Sequence, residues 1–162
     1  MNAAIYPGTF DPLTLGHLDV VERASRIFKQ VVVSVGVNES KKPLFSVEER
    51  MEMVRKVVAH LPNVEVESFD GLLVNYCRRR KIYALIRGLR AFSDFEYEFQ
   101  MALTNRKLAP EVETIFLMPR ETHSYLSSSM VRGIAEMGGN IDDFVPPAVR
   151  DELVNRVCPR KS

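Results

Sequence analysis

The residues best suited to chemistry lie near the start of the chain, which reads GTFDP at positions 8–12 and TLGH at positions 14–17. Residues 3–6 before them are mostly apolar and the residues after them have helical spacing, so a strand should lead through a Gly/Pro turn into a helix. A helix N-terminus offers unpaired N–H groups and a dipole that favours anions. The Thr9 hydroxyl and the His17 imidazole at such a place predict contacts with phosphate oxygens, and therefore nucleotide chemistry.

Three further segments place cationic or hydroxyl side chains after strand-like runs, namely SKKP at 40–43, IRGLR at 86–90 and LSSSMVR at 126–132. Arginine presents a fixed fork of donors to phosphate oxygens. Serines that open a helix supply a cap, and the free N–H groups behind them form an anion site. Because the carboxyl ends of parallel strands meet at one edge of a sheet, the four segments should converge on one site.

Strands and helices alternate along the chain. The predicted strands cover residues 2–6, 31–37, 64–67, 84–86 and 114–118, and the predicted helices cover 16–28, 46–59, 72–80, 92–108, 128–137 and 146 to about 156. This alternation predicts βαβ units and a parallel sheet. We expect an α/β, Rossmann-like, doubly wound parallel five-stranded sheet with helices on both faces, in a single domain over residues 1–162 with a frayed tail at 157–162.

Composition restricts the class of protein. The chain has 162 residues, 46% of them apolar, which is enough for a packed core. Its 22 basic and 21 acidic residues give a net charge of +1, which argues against a nucleic-acid binder or a membrane-surface binder. Cys77 and Cys158 lack metal-ligand spacing and are interpreted as free thiols in a reducing compartment. No signal-peptide pattern or membrane-length apolar run is present, so we expect a cytoplasmic protein.

The turn residues and His17 each have an ordinary alternative role. A lone histidine at a helix start is usually a surface residue, but the TxGH pattern around His17 favours a donor to phosphate oxygens. A neutral or a protonated imidazole can donate, so the sequence leaves its charge state open. Thr9 either stabilises the turn or binds phosphate together with the backbone N–H of Phe10. Gly8 is interpreted as allowing close approach of the chain to a ligand.

The ordered motifs resemble the nucleotidyltransferase superfamily, whose first signature is (H/T)xGH and whose second is ISSSxxR. Here the first is TLGH at 14–17 and the second is LSSSMVR at 126–132, with leucine in place of isoleucine. Together with SKKP, IRGLR and DFEYE at 94–98, they make the chain similar to the phosphopantetheine adenylyltransferases from about Ile5 to Arg132. The resemblance implies transfer of the adenylyl group of ATP to 4′-phosphopantetheine, which gives dephospho-coenzyme A and pyrophosphate.

The resemblance also implies a set of site residues. The implied catalytic residues are His17, Lys41 and Arg90. The implied phosphopantetheine-binding residues are Thr9, Lys41, Leu73 and Arg87. The implied ATP-binding residues are Thr9, Phe10, His17, Gly88, Leu89, Arg90, Glu98, His123, Ser124, Tyr125, Leu126, Ser127, Ser128 and Ser129. From spacing alone, Glu98 would be a solvated helix charge and Lys41 a solvated loop charge.

The mechanism implied needs no protein base, because a phosphate monoester has a second pKa of about 6 and is mostly dianionic near neutral pH. The sequence shows no convincing set of nucleophile, base and orienting group. Mg²⁺ should bridge ATP oxygens without an all-protein metal site, and Asp11 is interpreted as a turn residue. The resemblance further implies a homohexamer, with the helix at 92–102 as a contact surface, and coenzyme A as a feedback ligand.

Two other functions stay open at this point. A sister nucleotidyltransferase would act on nicotinate mononucleotide, or on a small phosphorylated alcohol with CTP. A nucleotide-sensing module with the same fold would bind ATP and release no pyrophosphate. The SKKP and IRGLR segments favour the pantetheine substrate over the first of these. The presence together of Thr9, His17, Lys41 and Arg87 argues against the second.

Overall fold

The computed structural model describes residues 2–37, 40 and 42–158, and for Phe92 and Ser93 the backbone alone. The strands are β1 (Ala3–Gly8), β2 (Gln30–Gly36), β3 (Val64–Phe69), β4 (Ala84–Gly88) and β5 (Glu113–Leu117). The helices are α1 (Leu15–Ile27), α2 (Val47–Val58), α3 (Leu73–Arg80), α4 (Phe92–Leu108), α5 (Ser128–Glu136) and α6 (Pro147–Val157). A short 3₁₀ turn, Glu121–His123, has no counterpart in the sequence prediction.

All strands are parallel and form one five-stranded sheet in the order β3-β2-β1-β4-β5. From β1 the chain steps outward to β2 and β3, and then returns to place β4 on the other side of β1. The strand order therefore reverses between β1 and β4, which is where such sheets bind ligands. This architecture confirms the predicted α/β, doubly wound fold class.

The sheet is covered on both faces, which explains its nearly continuous apolar strands. Ala4 and Tyr6 of β1 face a large cluster with α1, α2, α5 and α6, whereas Ile5 between them faces a smaller cluster. The smaller cluster includes Val74 and Cys77 of α3. Helices thus lie on both faces, and β1 at the centre is held rigidly between them.

Predicted and observed element bounds differ by a few residues at most. The first strand continues to Gly8, so the turn that carries Thr9 starts directly at the end of β1. At the other end of the chain, Val157 belongs to α6 and packs against the core, so the predicted frayed tail does not begin there. Residues 159–162 of that predicted tail lie outside the described residues.

The two cysteines are free thiols, as predicted. Cys77 is buried, and burial raises the pKa of its thiol to about 11. Within residues 2–37, 40 and 42–158, no helix is long and apolar enough to span a membrane.

Candidate active site

A cleft of about 590 Å³ opens where β1 and β4 end, at the point of strand reversal. The turn after β1, the end of β4, the start of α4 and the start of α5 form its walls. The predicted site residues on these walls are Thr9, Phe10, His17, Arg87, Gly88, Arg90, Glu98, Leu126, Ser127, Ser128 and Ser129. The expected convergence of separate segments on one edge of the sheet therefore occurs.

His17 is fixed by the residue that caps its own helix. Thr14 is the N-cap of α1, and its hydroxyl accepts a hydrogen bond from the backbone N–H of His17 at 3.3 Å. In return, the backbone N–H of Thr14 donates to Nδ1 of His17 at 3.0 Å, and the Thr14 hydroxyl lies 3.1 Å from the same nitrogen. Because Nδ1 accepts, the proton of the neutral imidazole resides on Nε2, on the side of the ring away from Thr14.

The charge state that the sequence left open follows from the surroundings of His17. Burial, together with the positive charges of Arg90 and Arg87, lowers the pKa of His17 from 6.5 to about 4, and burial is the largest of these causes. The imidazole is therefore neutral at pH 7. His17 is a neutral donor in a cleft that also contains Arg87 and Arg90, and it is suited to oxygen atoms that gain negative charge.

We expect this depressed pKa to make folding stability depend on pH. Between pH 6.5 and about 4, the unfolded state binds a proton at residue 17 that the folded state does not bind. The stability contributed by the neutral imidazole is thus fully present above pH 6.5 and is lost as pH falls toward 4. His17→Gln removes this effect, so its urea midpoint should fall less between pH 7 and pH 4.5 than that of the wild type.

The exposed His60, which is hydrogen-bonded to Glu22, provides the matched control. His60→Gln should leave the acid-dependent fall in the urea midpoint at its wild-type size. Nitrogen-15 NMR of the His17 ring should show the neutral Nε2–H form from pH 7 down to about 5. Equal acid slopes in wild type and His17→Gln, or a His17 ring that protonates near pH 6.5, would contradict this assignment.

Two glycines are required by close contacts. A Cβ on Gly16 would lie 3.2 Å from the carbonyl oxygen of His123, so glycine lets the start of α1 approach the 3₁₀ turn. A Cβ on Gly8 would lie 2.8 Å from Cζ of the Phe10 ring. The space at Gly8 is therefore filled by Phe10, which corrects the expectation that Gly8 makes room for a ligand.

Arg87 and Glu98 form a bidentate ion pair on the wall of the cleft. Nε and Nη2 of Arg87 donate to the Glu98 carboxylate at 2.8 and 2.7 Å, and Nη1 donates to the Pro7 carbonyl at 3.0 Å. Glu98 is buried rather than solvated, because it neutralises this guanidinium. An arginine has five N–H donors and these bonds use three, which leaves two for a ligand.

Arg90 connects two walls of the cleft. Its Nε donates to Asp94 at the start of α4 at 2.9 Å. Its Nη1 donates to the carbonyl of Leu126 at 2.6 Å, just before α5. The arginine thus holds the serine segment at a fixed distance from α4, with its charge facing the cleft.

The serine segment forms the start of α5. Ser127 is the N-cap, and its hydroxyl accepts from the backbone N–H of Met130 at 3.2 Å, which confirms that one of the three serines is a cap. Ser128 donates to the carbonyl of Pro12 at 2.8 Å and so ties α5 to the first turn. Ser129 lies 3.3 Å from the Ser127 hydroxyl. Hydroxyls and free N–H groups therefore line the cleft at a helix start, as an anion site requires.

Asp11 is a structural residue of the turn, as the sequence indicated. Its carboxylate accepts from the backbone N–H groups of Leu44 and Phe45 at 2.8 and 3.0 Å. Arg132 of α5 lies 3.5 Å from one of its oxygens. The carboxylates of the cleft are thus already paired, and no group of three His, Cys, Asp or Glu side chains in the described part of the chain could hold a metal ion.

Arg50 of α2 supports the site, and sequence reasoning missed it. The side chain is almost fully buried, at 1% exposure. Its guanidinium donates to the carbonyls of Thr9, Gly36 and Phe45 at 2.7, 3.0 and 3.1 Å. A signal was present, since Arg50 lies four residues before Val54 and so on the buried face of α2.

Several predicted site residues are not among the residues that line the cleft, namely Leu73, Leu89, His123, Ser124 and Tyr125. Leu73 is partly buried and packs against the smaller core cluster. The backbone N–H of Leu89 donates to the Leu117 carbonyl in the neighbouring strand segment. Ser124 bonds the Glu121 carbonyl, and Tyr125 is 59% exposed. Lys41 lies outside the described residues.

His123 has an unusual environment next to α1. Its Nδ1 atom is buried and has no hydrogen-bond partner among the described residues. Its carbonyl is the group that approaches Gly16. The 3₁₀ turn that contains it therefore forms part of the surroundings of His17.

Comparisons with known proteins extend the similarity over most of the chain. The family model for cytidylyltransferase-like proteins matches residues 5–134. A relative from Heliobacterium modesticaldum named phosphopantetheine adenylyltransferase is 56% identical over 156 residues, which cover 96% of this chain and 93% of the relative. A relative of the same name from Clostridium tetani is 52% identical over 162 residues, which cover 100% of this chain and 99% of the relative.

A solved structure supports the fold independently. The Vibrio parahaemolyticus protein described as a "Putative Nicotinate-nucleotide Adenylyltransferase" has a TM-score of 0.70 and covers 94% of this chain and 91% of its own. At 20% sequence identity, this similarity shows a shared fold alone.

Proposed function

The chain belongs to the cytidylyltransferase-like family and, at 52–56% identity to the relatives above, to the phosphopantetheine adenylyltransferases, and we propose that it transfers the adenylyl group of ATP to 4′-phosphopantetheine. The products are dephospho-coenzyme A and pyrophosphate, in a step of coenzyme A synthesis. The observation that carries the site assignment is the neutral His17, fixed by Thr14 and lining the cleft at the strand reversal.

The acceptor binds on the side of the cleft formed by the ends of β1 and β4. Thr9 donates its hydroxyl to the acceptor phosphate, and the two unused N–H donors of Arg87 bind the same group. Glu98 contacts ATP from the neighbouring helix and keeps the Arg87 guanidinium oriented. Lys41 adds a positive charge to the acceptor phosphate, and Leu73 provides an apolar contact for the pantetheine arm.

ATP binds on the opposite side, between the starts of α1 and α5. His17 and the Phe10 backbone N–H donate to phosphate oxygens, and Arg90 places its charge beside them. The serines at 127–129 hold the end of the triphosphate at the N-terminus of α5. The segment at 88–89 and residues 123–126 border the nucleotide.

Placement and charge neutralisation supply the catalysis. The acceptor phosphate is already a dianion near neutral pH, so one of its oxygens attacks the α-phosphorus of ATP without a protein base. The bond to the bridging oxygen breaks and pyrophosphate leaves. Holding two reactants in line contributes roughly 7–11 kcal/mol of barrier reduction. His17, Arg90 and Lys41 stabilise the charge that develops on the phosphate oxygens.

Magnesium enters with the nucleotide as the MgATP substrate. The paired state of Asp11, Asp94 and Glu98 agrees with an ion that is held by phosphate oxygens and keeps most of its waters. Bound to the triphosphate, the ion would neutralise part of its charge.

We further propose that the enzyme works in the cytoplasm as a homohexamer with coenzyme A as a feedback ligand. The exposed apolar side chains of α4 support a contact between subunits. Phe95 and Phe99 stack at 5.7 Å on this helix, and each is 46% exposed. A helix face of this kind is typical of a surface that a partner covers.

Pyrophosphate release from MgATP, measured with a panel of acceptors, tests the proposed function. Release should be rapid with 4′-phosphopantetheine and at background with nicotinate mononucleotide. With CTP in place of ATP, release should also be at background.

Any other outcome of this panel would indicate a different function. Release with nicotinate mononucleotide alone would keep the chemistry and overturn the acceptor. Release with CTP and a small phosphorylated alcohol would point to a cytidylyltransferase. Binding of ATP without release with any acceptor would indicate a nucleotide-sensing module.

A further inference from the structure

Phe10 adopts a conformation that a bulky residue rarely has. Its backbone φ is +50°, in the left-handed region that favours glycine. Such backbone conformations persist only where the surrounding structure holds them, and they occur most often at functional sites. The side chain of Phe10 is 2% exposed, so its ring is buried in the wall of the cleft.

The ring of Phe10 packs against the His17 imidazole. Their centroids are 5.2 Å apart with an interplanar angle of 76°, an edge-to-face arrangement. On another side, Phe10 contacts Tyr6 of β1 at 5.4 Å and 74°. Tyr6 belongs to the central strand, so the contact connects the His17 ring to the most rigid part of the fold.

This contact supplies a constraint that the hydrogen bonds to His17 lack. Thr14 holds the imidazole at one atom, Nδ1. Hydrogen bonds tolerate some variation in length and angle, so coupled changes of χ1 and χ2 can still tilt the ring and move Nε2. The Phe10 ring blocks this tilt from one side.

The Phe10 ring packs directly against the backbone of Gly8. The position of a Cβ at Gly8 would be only 2.8 and 2.9 Å from two ring carbons of Phe10. Any side chain at Gly8 would therefore displace the ring from its contact with His17. The Phe10 ring is thus in contact with both Gly8 and the His17 ring.

We propose that Phe10 is a positioning residue, whose ring, seated against Gly8 and Tyr6, sets the direction of the His17 Nε2–H bond. This role is separate from the contact of its backbone N–H with ATP. It rests on the proposed function for its effect on turnover, whereas the orientation of the imidazole is a property of the protein alone.

Two variants test this proposal, one by removing the ring and the other by displacing it. Phe10→Leu removes the ring while keeping apolar bulk, and Gly8→Ala keeps the ring and displaces it. Both should lower kcat by about 10-fold or more while KM for ATP changes less, because misplacement of a reacting group by about 1 Å costs up to about 10²-fold. In both, NOEs from the His17 ring protons to residues other than Phe10 should change, because they report the orientation of the ring, whereas Thr14 still sets the Nε2–H form.

Phe28→Leu is the matched control, since Phe28 is buried in the same core cluster at the far end of α1. It should lower the thermal midpoint as Phe10→Leu does, with wild-type kcat and unchanged NOEs from the His17 ring. If Gly8→Ala does not fold, Phe10→Leu decides alone. Unchanged NOEs from the His17 ring to residues other than Phe10 in Phe10→Leu would overturn the proposal whatever the turnover, and altered NOEs without any turnover in the wild type would fault the proposed function instead.

Discussion

Replacing His17 with alanine should lower kcat for adenylyl transfer by about 10²–10³, equivalent to about 3–4 kcal/mol, as for loss of one preorganised donor. The imidazole is neutral and donates through Nε2, so its hydrogen bond strengthens as charge grows on the phosphate oxygens. KM for ATP should change only a few-fold, since the substitution leaves the proposed contacts of the triphosphate with Arg90 and the start of α5 in place. Steady-state pyrophosphate release measures both constants.

His17→Gln keeps a neutral donor at the same position and should recover part of the lost rate. His60→Ala removes an exposed histidine and should have wild-type kcat. The substitution also removes the acceptor of the Thr14 backbone N–H. Urea unfolding is therefore the control, and it should show that His17→Ala is folded under assay conditions. A fall in kcat of less than tenfold would contradict a donor role in the transition state.

Replacing Arg50 with methionine should cost about 3 kcal/mol of stability. The substitution leaves the carbonyls of Thr9, Gly36 and Phe45 without their donor, and an unpaired group costs about 1–3 kcal/mol where it is buried, as at Phe45, and less where it is partly buried. Loss of the desolvation cost of the buried charge offsets part of this sum. The thermal midpoint should fall by about 6–12 °C, at about 2–4 °C per kcal/mol for a domain of this size.

Arg55→Met on the same helix is the matched control. Arg55 is exposed, and its nearest carboxylate, in Glu52, is 4.0 Å away, so its loss should change stability by less than about 0.5 kcal/mol. Arg50→Met should also raise KM for the acceptor, because Thr9 loses the bond that fixes its carbonyl. Equal stability of the two variants would show that the three carbonyl contacts of Arg50 do not support the turn.

The sheet and the convergence of the motifs could be predicted because they depend on local patterns. Runs of β-branched residues that alternate with segments of helical periodicity predict parallel strands. Ligands bind such sheets beyond the carboxyl ends of the strands, which places the segments after β1 and β4 side by side. The serines at 127–129 were readable as a helix start for the same reason, whereas the cap formed by Thr14 became visible only in the structure. In each case, the determining interactions lie within a few residues of one another.

The remaining features depend on contacts between distant parts of the chain. Glu98 is buried because Arg87, eleven residues earlier on another element, pairs with it. The neutral state of His17 results from burial and from Arg87 and Arg90, none of which the TxGH pattern contains. The role of Gly8 became visible only with the ring of Phe10 in place.

The fate of the α-phosphate of ATP shows whether the adenylyl group passes directly to the acceptor. In a single turnover with ATP labelled at the α-phosphorus, magnesium and 4′-phosphopantetheine, the label should pass into a product that also contains the pantetheine thiol. None of it should be attached to the protein, because the acceptor phosphate attacks directly. Label bound covalently to the protein, or released only as AMP with the acceptor unchanged, would contradict the account.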